Sequence, residues 1–307
     1  MTWTLEDLPD QTGRTTLVTG CTVGGLGFHV VLELARRGGR VILAGRSKDR
    51  LAEAEAAVRR EVPRADLGAL EVDLADLTSV RRAADEAASV GPIHCLVNNA
   101  GIMATPYART ADGFEQQLAT NHLGPFLLTG LLLPQLVSSG EGRVVTVSSI
   151  LHRMARREPL DDPRHPRGRY SRWPAYAATK LANLLFTFEL DRRLTAAQLP
   201  VRALAAHPGY AGTHLVANGR FGRSSGGIAS IVDAANKALS QSASDGALPV
   251  IMAATADLPG GSYCGPGGPG EIRGLPRVVT PSRLARDERA QRELWELSER
   301  TTGVRYP

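Results

Sequence analysis

Tyr176 and Lys180, in Ala175-Tyr176-Ala177-Ala178-Thr179-Lys180, are the residues of this chain whose types and spacing point most directly to chemistry. On a helix, residues four apart share a face, so the phenol stands near the ammonium. A free phenol titrates near 10 and is a poor acid or base at neutrality, but a neighbouring lysine charge stabilises the phenolate and lowers that value. The pair could then serve as a general acid and base. The same spacing also occurs by chance on solvated helices, so the elements that would position the pair matter.

Short apolar runs alternate with helical patterns along the chain. Thr15–Thr19, Arg40–Ala44, Leu67–Val72, His94–Val97, Arg143–Val147 and Val201–Ala206 read as buried strands, with helices near 26–37, 48–61, 78–89, 112–137 and 175–197 between them. A helix near 228–240, a short strand at Ser262–Cys264 and a charged terminal helix over 282–300, placed at a subunit contact, would follow. This alternation predicts an α/β fold: one doubly wound parallel sheet of the Rossmann type with helices on both faces. No composition break divides residues 1–307, so the chain reads as one domain with a 13–270 core and a 271–307 extension.

Bulk features narrow the function. The net charge of +5 is spread out without blocks, which argues against nucleic acid. Cys21, Cys95 and Cys264 are odd in number and far apart, as suits a reducing cytoplasm. No metal-ligand spacing, signal peptide or apolar membrane span is evident, so no metal and no membrane anchor are expected.

Ligands of doubly wound sheets bind beyond the carboxyl ends of the strands. After the first strand comes Thr19-Gly20-Cys21-Thr22-Val23-Gly24-Gly25-Leu26-Gly27, opening a helix. Gly20, Gly25 and Gly27, with Thr22 and Leu26, would let the backbone approach a pyrophosphate at the positive helix end; a plain packing turn is the alternative. Arg46 ends the second strand where an NAD site usually has a carboxylate, and an arginine there accepts a 2′-phosphate, which favours NADP over NAD. Asp73-Leu74 and Asn98-Asn99-Ala100-Gly101 end the third and fourth strands, where Asp73 could cap an adenine amino group and the asparagines could bond backbone.

In Asn121-His122-Leu123-Gly124-Pro125 the proline has no amide to return to the Asn121 carbonyl, which could then hold a water; a simple kink is the other reading. Ser148 and Ser149 end the fifth strand, and either hydroxyl could bond a substrate carbonyl. Residues 150–174 carry Arg153, Arg156, Arg157, Arg164, Arg167, Arg169 and Arg172 without any period, which reads as a loop at the rim of the site. Pro208, Gly209 and Thr213 follow the sixth strand, where the nicotinamide end of a cofactor would be reached, and 213–227 reads as a substrate lid.

Together these pieces resemble the short-chain dehydrogenase/reductase family over residues 13–270. Asn121-His122-Leu123-Gly124-Pro125-Phe126, Ser148-Ser149-Ile150-Leu151-His152 and Lys180-Leu181-Ala182-Asn183 resemble its retinol-dehydrogenase and WW-oxidoreductase branch. The resemblance implies an NADP(H)-dependent ketoreductase or alcohol dehydrogenase. Asn121, Ser149, Tyr176 and Lys180 would be catalytic, with Tyr176 and Lys180 also touching the cofactor. It further implies a hydrophobic carbonyl or alcohol substrate, the arginine-rich loop suiting an anionic one instead, and a homodimer or homotetramer paired through the helices at 112–137 and 175–197. A catalytically silent nucleotide-sensing or scaffold protein is the competing class. Two departures stand out: the glycine segment is one residue longer than the usual pattern, through Gly24 or Gly25, and Ser149 precedes Tyr176 by 176 − 149 = 27 positions.

Overall fold

Apolar strand residues alternate between two cores, and that alternation places the helices. Val18, Val41, Leu43, Val97, Val145 and Leu204 enter one core, while their neighbours Leu17, Ile42, Leu96, Val144 and Ala203 enter the other. Successive strand side chains point to opposite faces, so a sheet buried on both sides needs this continuous apolar sequence. The computed structural model describes residues 3–164, 169–210 and 241–307. Thr213, the 213–227 lid, the 228–240 helix and Arg167 lie outside them.

The strands are β1 (Thr15–Thr19), β2 (Arg40–Gly45), β3 (Leu67–Glu71), β4 (Cys95–Asn98), β5 (Gly142–Val147), β6 (Val201–Ala206), β7 (Tyr263–Pro266) and β8 (Pro276–Val278). They form one sheet in the order β3-β2-β1-β4-β5-β6-β7-β8, parallel except for the antiparallel β7–β8 pair. The order reverses between β1 and β4, where Leu17 pairs with Ile42 on one side and Leu96 on the other, and this opens a crevice beyond their carboxyl ends.

The helices are α1 (Leu26–Arg36), α2 (Lys48–Glu61), α3 (Leu77–Ala87), α4 (Gln116–Leu118), α5 (Gly124–Ser138), α6 (Arg172–Ala196), α7 (Ala243–Thr255) and α8 (Glu288–Thr302). Val30 and Leu34 of α1, Leu51 and Val58 of α2 and Val250 and Ile251 of α7 fill the first core. Val80 of α3, Phe126 and Leu127 of α5 and Phe186 and Leu190 of α6 fill the second. Among the described residues no helix is long and apolar enough to cross a membrane.

Three departures from the sequence reading have physical causes. The helix expected over 112–137 is broken: Glu115 caps α4, residues Ala119–Leu123 form a π turn, and α5 resumes at Gly124. The Gly124 amide bonds the Ala119 carbonyl five residues back, which takes up the register lost at Pro125. Helix α7 and edge strand β8 were not expected at all. In α7, Gly246 and Pro249 resemble breakers, but Ser242 caps the start and the apolar run packs into the first core.

The terminal helix does not face outward. Trp295 of α8 is 1% exposed and packs its ring at 5.1 Å from Phe126 of α5 and 6.0 Å from Phe186 of α6. Tyr306 closes the cluster at 4.7 Å from Trp295 and donates its hydroxyl to the Phe126 carbonyl. The chain's own α8 therefore lies on the helices expected to pair with another copy.

Candidate active site

The crevice is built from the end of β1. Thr19 Oγ1 accepts the amides of Asn99 and Ala100, each at 3.0 Å, and Asn99 Nδ2 returns to the Thr19 carbonyl at 2.7 Å and the Gly20 carbonyl at 3.2 Å. This node ties the glycine turn to the end of β4; Asn99 bonds backbone as expected, whereas Asn98 Nδ2 donates to the Thr129 hydroxyl at 3.0 Å instead. Gly20 has φ +78°, and a Cβ there would meet Ala100 Cα at 2.8 Å. A Cβ on Gly27 would meet Asn99 Nδ2 at 2.6 Å. Only glycine fits at either place.

The two glycines of uncertain register have separate duties. Gly24, at φ +75°, makes the turn that the Gly25 amide closes on the Thr22 carbonyl at 2.9 Å, and Gly25 is the N-cap of α1. No side chain caps α1, whereas Ser47, Asp76 and Asp287 cap α2, α3 and α8. The first amides of an eleven-residue helix, at Leu26 and Gly27, are thus presented to the crevice with the positive end of its dipole. A glycine cradle too tight for side chains below an uncapped helix end fits the phosphates of a dinucleotide.

At the other contacts of the crevice, Arg46 follows β2, exposed and with no ion pair among the described residues. The nearest acid in sequence, Asp49, lies in the first turn of α2. Asp73 Oδ1 accepts the Ala75 amide at 2.9 Å, and Leu74 is buried.

Asn121 comes from the π turn and is 1% exposed. Its Oδ1 accepts the Ile102 amide at 2.8 Å, and its Nδ2 donates to the Ile102 carbonyl and Thr179 Oγ1, both at 2.9 Å. The side chain therefore clamps the strand β4 loop to α6. A Cβ on Gly101 would lie 3.1 Å from Asn121 Oδ1 and 3.5 Å from Lys180 Nζ, so both side chains converge on that backbone.

Ser149, Tyr176 and Lys180 meet where α6 crosses the end of β5. The Ser148 hydroxyl donates to the Lys180 carbonyl at 2.8 Å and is buried, whereas Ser149 Oγ accepts the Leu151 amide at 3.2 Å and lies near enough to the Tyr176 phenol to lower its pKa. Of the two serines, Ser149 is the one presented to Tyr176. Lys180 Nζ donates to the Val147 carbonyl at 3.0 Å, which Asn183 Nδ2 also reaches at 3.0 Å. The pKa relation differs from expectation. Burial pushes the Tyr176 phenol up to about 12, with the neighbouring Ser149 hydroxyl pulling the other way. Burial brings the Lys180 ammonium down to about 8. The lysine does not lower the phenol because its head turns to the strand carbonyl, 5.7 Å from the ring centroid.

Pro208 and Gly209 follow β6, and Gly209, at φ +67°, leads into Tyr210, whose amide bonds the Ile272 carbonyl at 2.8 Å. In the arginine-rich loop, Arg157 pairs with Asp161 at 2.7 Å, Arg153 pairs with Glu271 at 2.8 Å and Arg164 stacks 4.5 Å from the Phe114 ring centre. From sequence, Thr19, Thr179 and Asn183 carry no assigned role, because their partners lie about thirty to eighty residues away in the chain.

The chain belongs to the short-chain dehydrogenase family, whose pattern it matches over residues 14–160. It is 39% identical to polyprenol dehydrogenase of Mus musculus, aligned over 97% of this chain and 86% of that one. It is 36% identical to retinol dehydrogenase 13 of Homo sapiens, over 96% and 86%. Among solved structures, an uncharacterised protein from Mycobacterium paratuberculosis is 44% identical, covers all of both chains and superposes with a TM-score of 0.81. The chain is thus an NAD(P)-dependent oxidoreductase of the retinol-dehydrogenase-like branch.

Proposed function

We propose that this enzyme interconverts a hydrophobic carbonyl compound and its alcohol with NADP(H). The observation that carries the reading is the convergence of Ser149, Tyr176 and Lys180 at the end of β5, beside the cradle of Gly20, Gly25 and Gly27. The cradle amides at Leu26 and Gly27 would hold the phosphates, Arg46 the 2′-phosphate, and Asp73, Leu74, Asn99, Ala100, Gly101, Pro208 and Gly209 would line the rest. When bound, the cofactor supplies or accepts the hydride.

In the reducing direction Tyr176 gives its phenolic proton to the carbonyl oxygen, and Ser149 donates a hydrogen bond to the same atom. A phenol buried to this degree keeps its proton at neutrality and holds it ready for transfer. Lys180, charged at neutrality even after burial, would steady the phenolate that remains once its head turns from the Val147 carbonyl toward the phenol. Asn121 fixes α6 through Thr179, and its backbone carbonyl, four residues before Pro125, is the proposed station for proton resupply.

The names of the relatives and two exposed apolar side chains support a hydrophobic substrate. Met154, 60% exposed, ends the turn after Ser149, and Trp173, 39% exposed, lies three residues before Tyr176. The three free buried cysteines suit a cytoplasmic enzyme. The test is a panel of all-trans-retinal, long-chain aldehydes and ketones, read by loss of NADPH absorbance. Turnover of the apolar members is expected. NADPH binding without turnover of any member would mark a nucleotide-sensing protein instead.

A further inference from the structure

His152 is completely buried, three residues after Ser149, and none of the roles above uses it. Its Nδ1 lies 2.7 Å from the Ser149 carbonyl, and the Ser282 amide donates to its Nε2 at 3.1 Å. A backbone amide can only donate, so Nε2 is the unprotonated nitrogen and the proton sits on Nδ1, donated to Ser149. The edge of the ring meets Tyr263 of β7 at 5.7 Å between centroids. The adjacent Arg153 donates to the Thr280 carbonyl at 3.0 Å and to Glu271 at 2.8 Å, and Glu271 accepts from or pairs with the buried His207 at 3.0 Å. Two consecutive side chains thus fasten the segment after β8 to the turn that carries Ser149.

We propose that His152 is a positioning residue, whose ring links the Ser149 carbonyl on Nδ1 to the Ser282 amide on Nε2 and so holds the Ser149 backbone with its hydroxyl facing Tyr176. Ser149 starts its turn in an extended conformation, φ −153° and ψ 153°, with the hydroxyl engaged by the Leu151 amide. Its carbonyl receives two donors, the His152 amide at 3.0 Å and the ring at 2.7 Å. Removing the ring donor leaves the peptide held by the His152 amide alone, and a hydroxyl that must meet a carbonyl oxygen within hydrogen-bond reach tolerates little rotation. The buried ring stays neutral, so it acts through geometry rather than by moving a proton. Residues beyond β8, distant in sequence from the chemistry, thereby help to set it.

The inference rests on the proposed role of Ser149, and a double-mutant cycle separates the two. With NADPH and all-trans-retinal, His152→Leu is expected to lower kcat about 10- to 100-fold in the parent chain, a range in keeping with misplacement at a reacting centre. In a Ser149→Ala background the same change should cost less than about threefold, because the hydroxyl it orients is gone. His152→Asn, which keeps an N–H near the Nδ1 position, should recover most of the loss. An equal loss in both backgrounds, or none in the parent, overturns the proposal. If Ser149→Ala alone leaves turnover unchanged, the reading of Ser149 fails and takes this proposal with it. A further arm needs no turnover: nitrogen-15 histidine spectra of the intact protein should show His152 as the Nδ1–H tautomer at neutral pH, and the Nε2–H tautomer would overturn the assignment.

Discussion

Lys180 and Tyr176 share one face of α6, yet the Lys180 ammonium stands 5.7 Å from the phenol ring centre and donates to the Val147 carbonyl instead. Burial opposes the charged form of each, raising the phenol to about 12 and lowering the ammonium to about 8. At neutrality the phenol is uncharged folded or unfolded, so it is the Lys180 ammonium that is held at a cost in stability.

That cost is measurable with Lys180→Met. Val147 keeps a donor from Asn183, so the substitution removes a buried charge without stranding the carbonyl. The folded-state pKa of Lys180 lies below its unfolded value of about 10.5, so between about 8 and that value the unfolded chain binds more protons and stability rises with pH. At pH 7 the variant should therefore unfold with a free energy on the order of 3 kcal/mol higher, and the advantage should shrink as pH passes 8. Denaturant melts at pH 7 and pH 10 check this; a variant less stable at pH 7 contradicts it.

Arg46 offers the cofactor test. It is exposed and without an ion pair among the described residues, and no carboxylate stands at the end of β2. Arg46→Asp should shift the ratio of kcat/KM for NADPH over NADH toward NADH by roughly tenfold to a hundredfold, the scale of one charge-assisted hydrogen bond. An unchanged ratio would show that the 2′-phosphate is read elsewhere.

The cover formed by α8 predicts the state of association. With Trp295 and Tyr306 seated on Phe126 and Phe186, the chain's own terminal segment covers this aromatic cluster of α5 and α6, the helices a second copy would use. Light scattering should give the mass of one 32.7 kDa chain. A dimer that persists on dilution contradicts this, and Trp295→Ala should cost about 3–5 kcal/mol of stability.

Much of this was legible from residue order because local signals agree with the fold. Strands β1 and β6 fall where their apolar runs lie, and Tyr176 and Lys180 lie on one helix, as their i, i+4 spacing implies. What stayed hidden depends on long-range contact. Nothing local distinguishes Thr19 as the node of the crevice, since its partners Asn99 and Ala100 lie some eighty positions away. His152 reads as one polar residue before an arginine-rich loop until Ser282, 130 positions later, supplies its partner. The 282–300 segment was read as helical from its charge pattern, but only packing reveals that Trp295 turns inward.

The central claim is that the Tyr176 phenol is the proton donor to a reacting carbonyl. Tyr176→Phe removes one oxygen from a site otherwise fixed by Ser149, Asn121 and Lys180, so fluorescence titration should find NADPH affinity within about twofold of the parent. Steady-state turnover of the best apolar carbonyl should fall at least about a thousandfold, within the range that a positioned acid contributes. Residual turnover above about one-tenth of the parent rate would contradict the account.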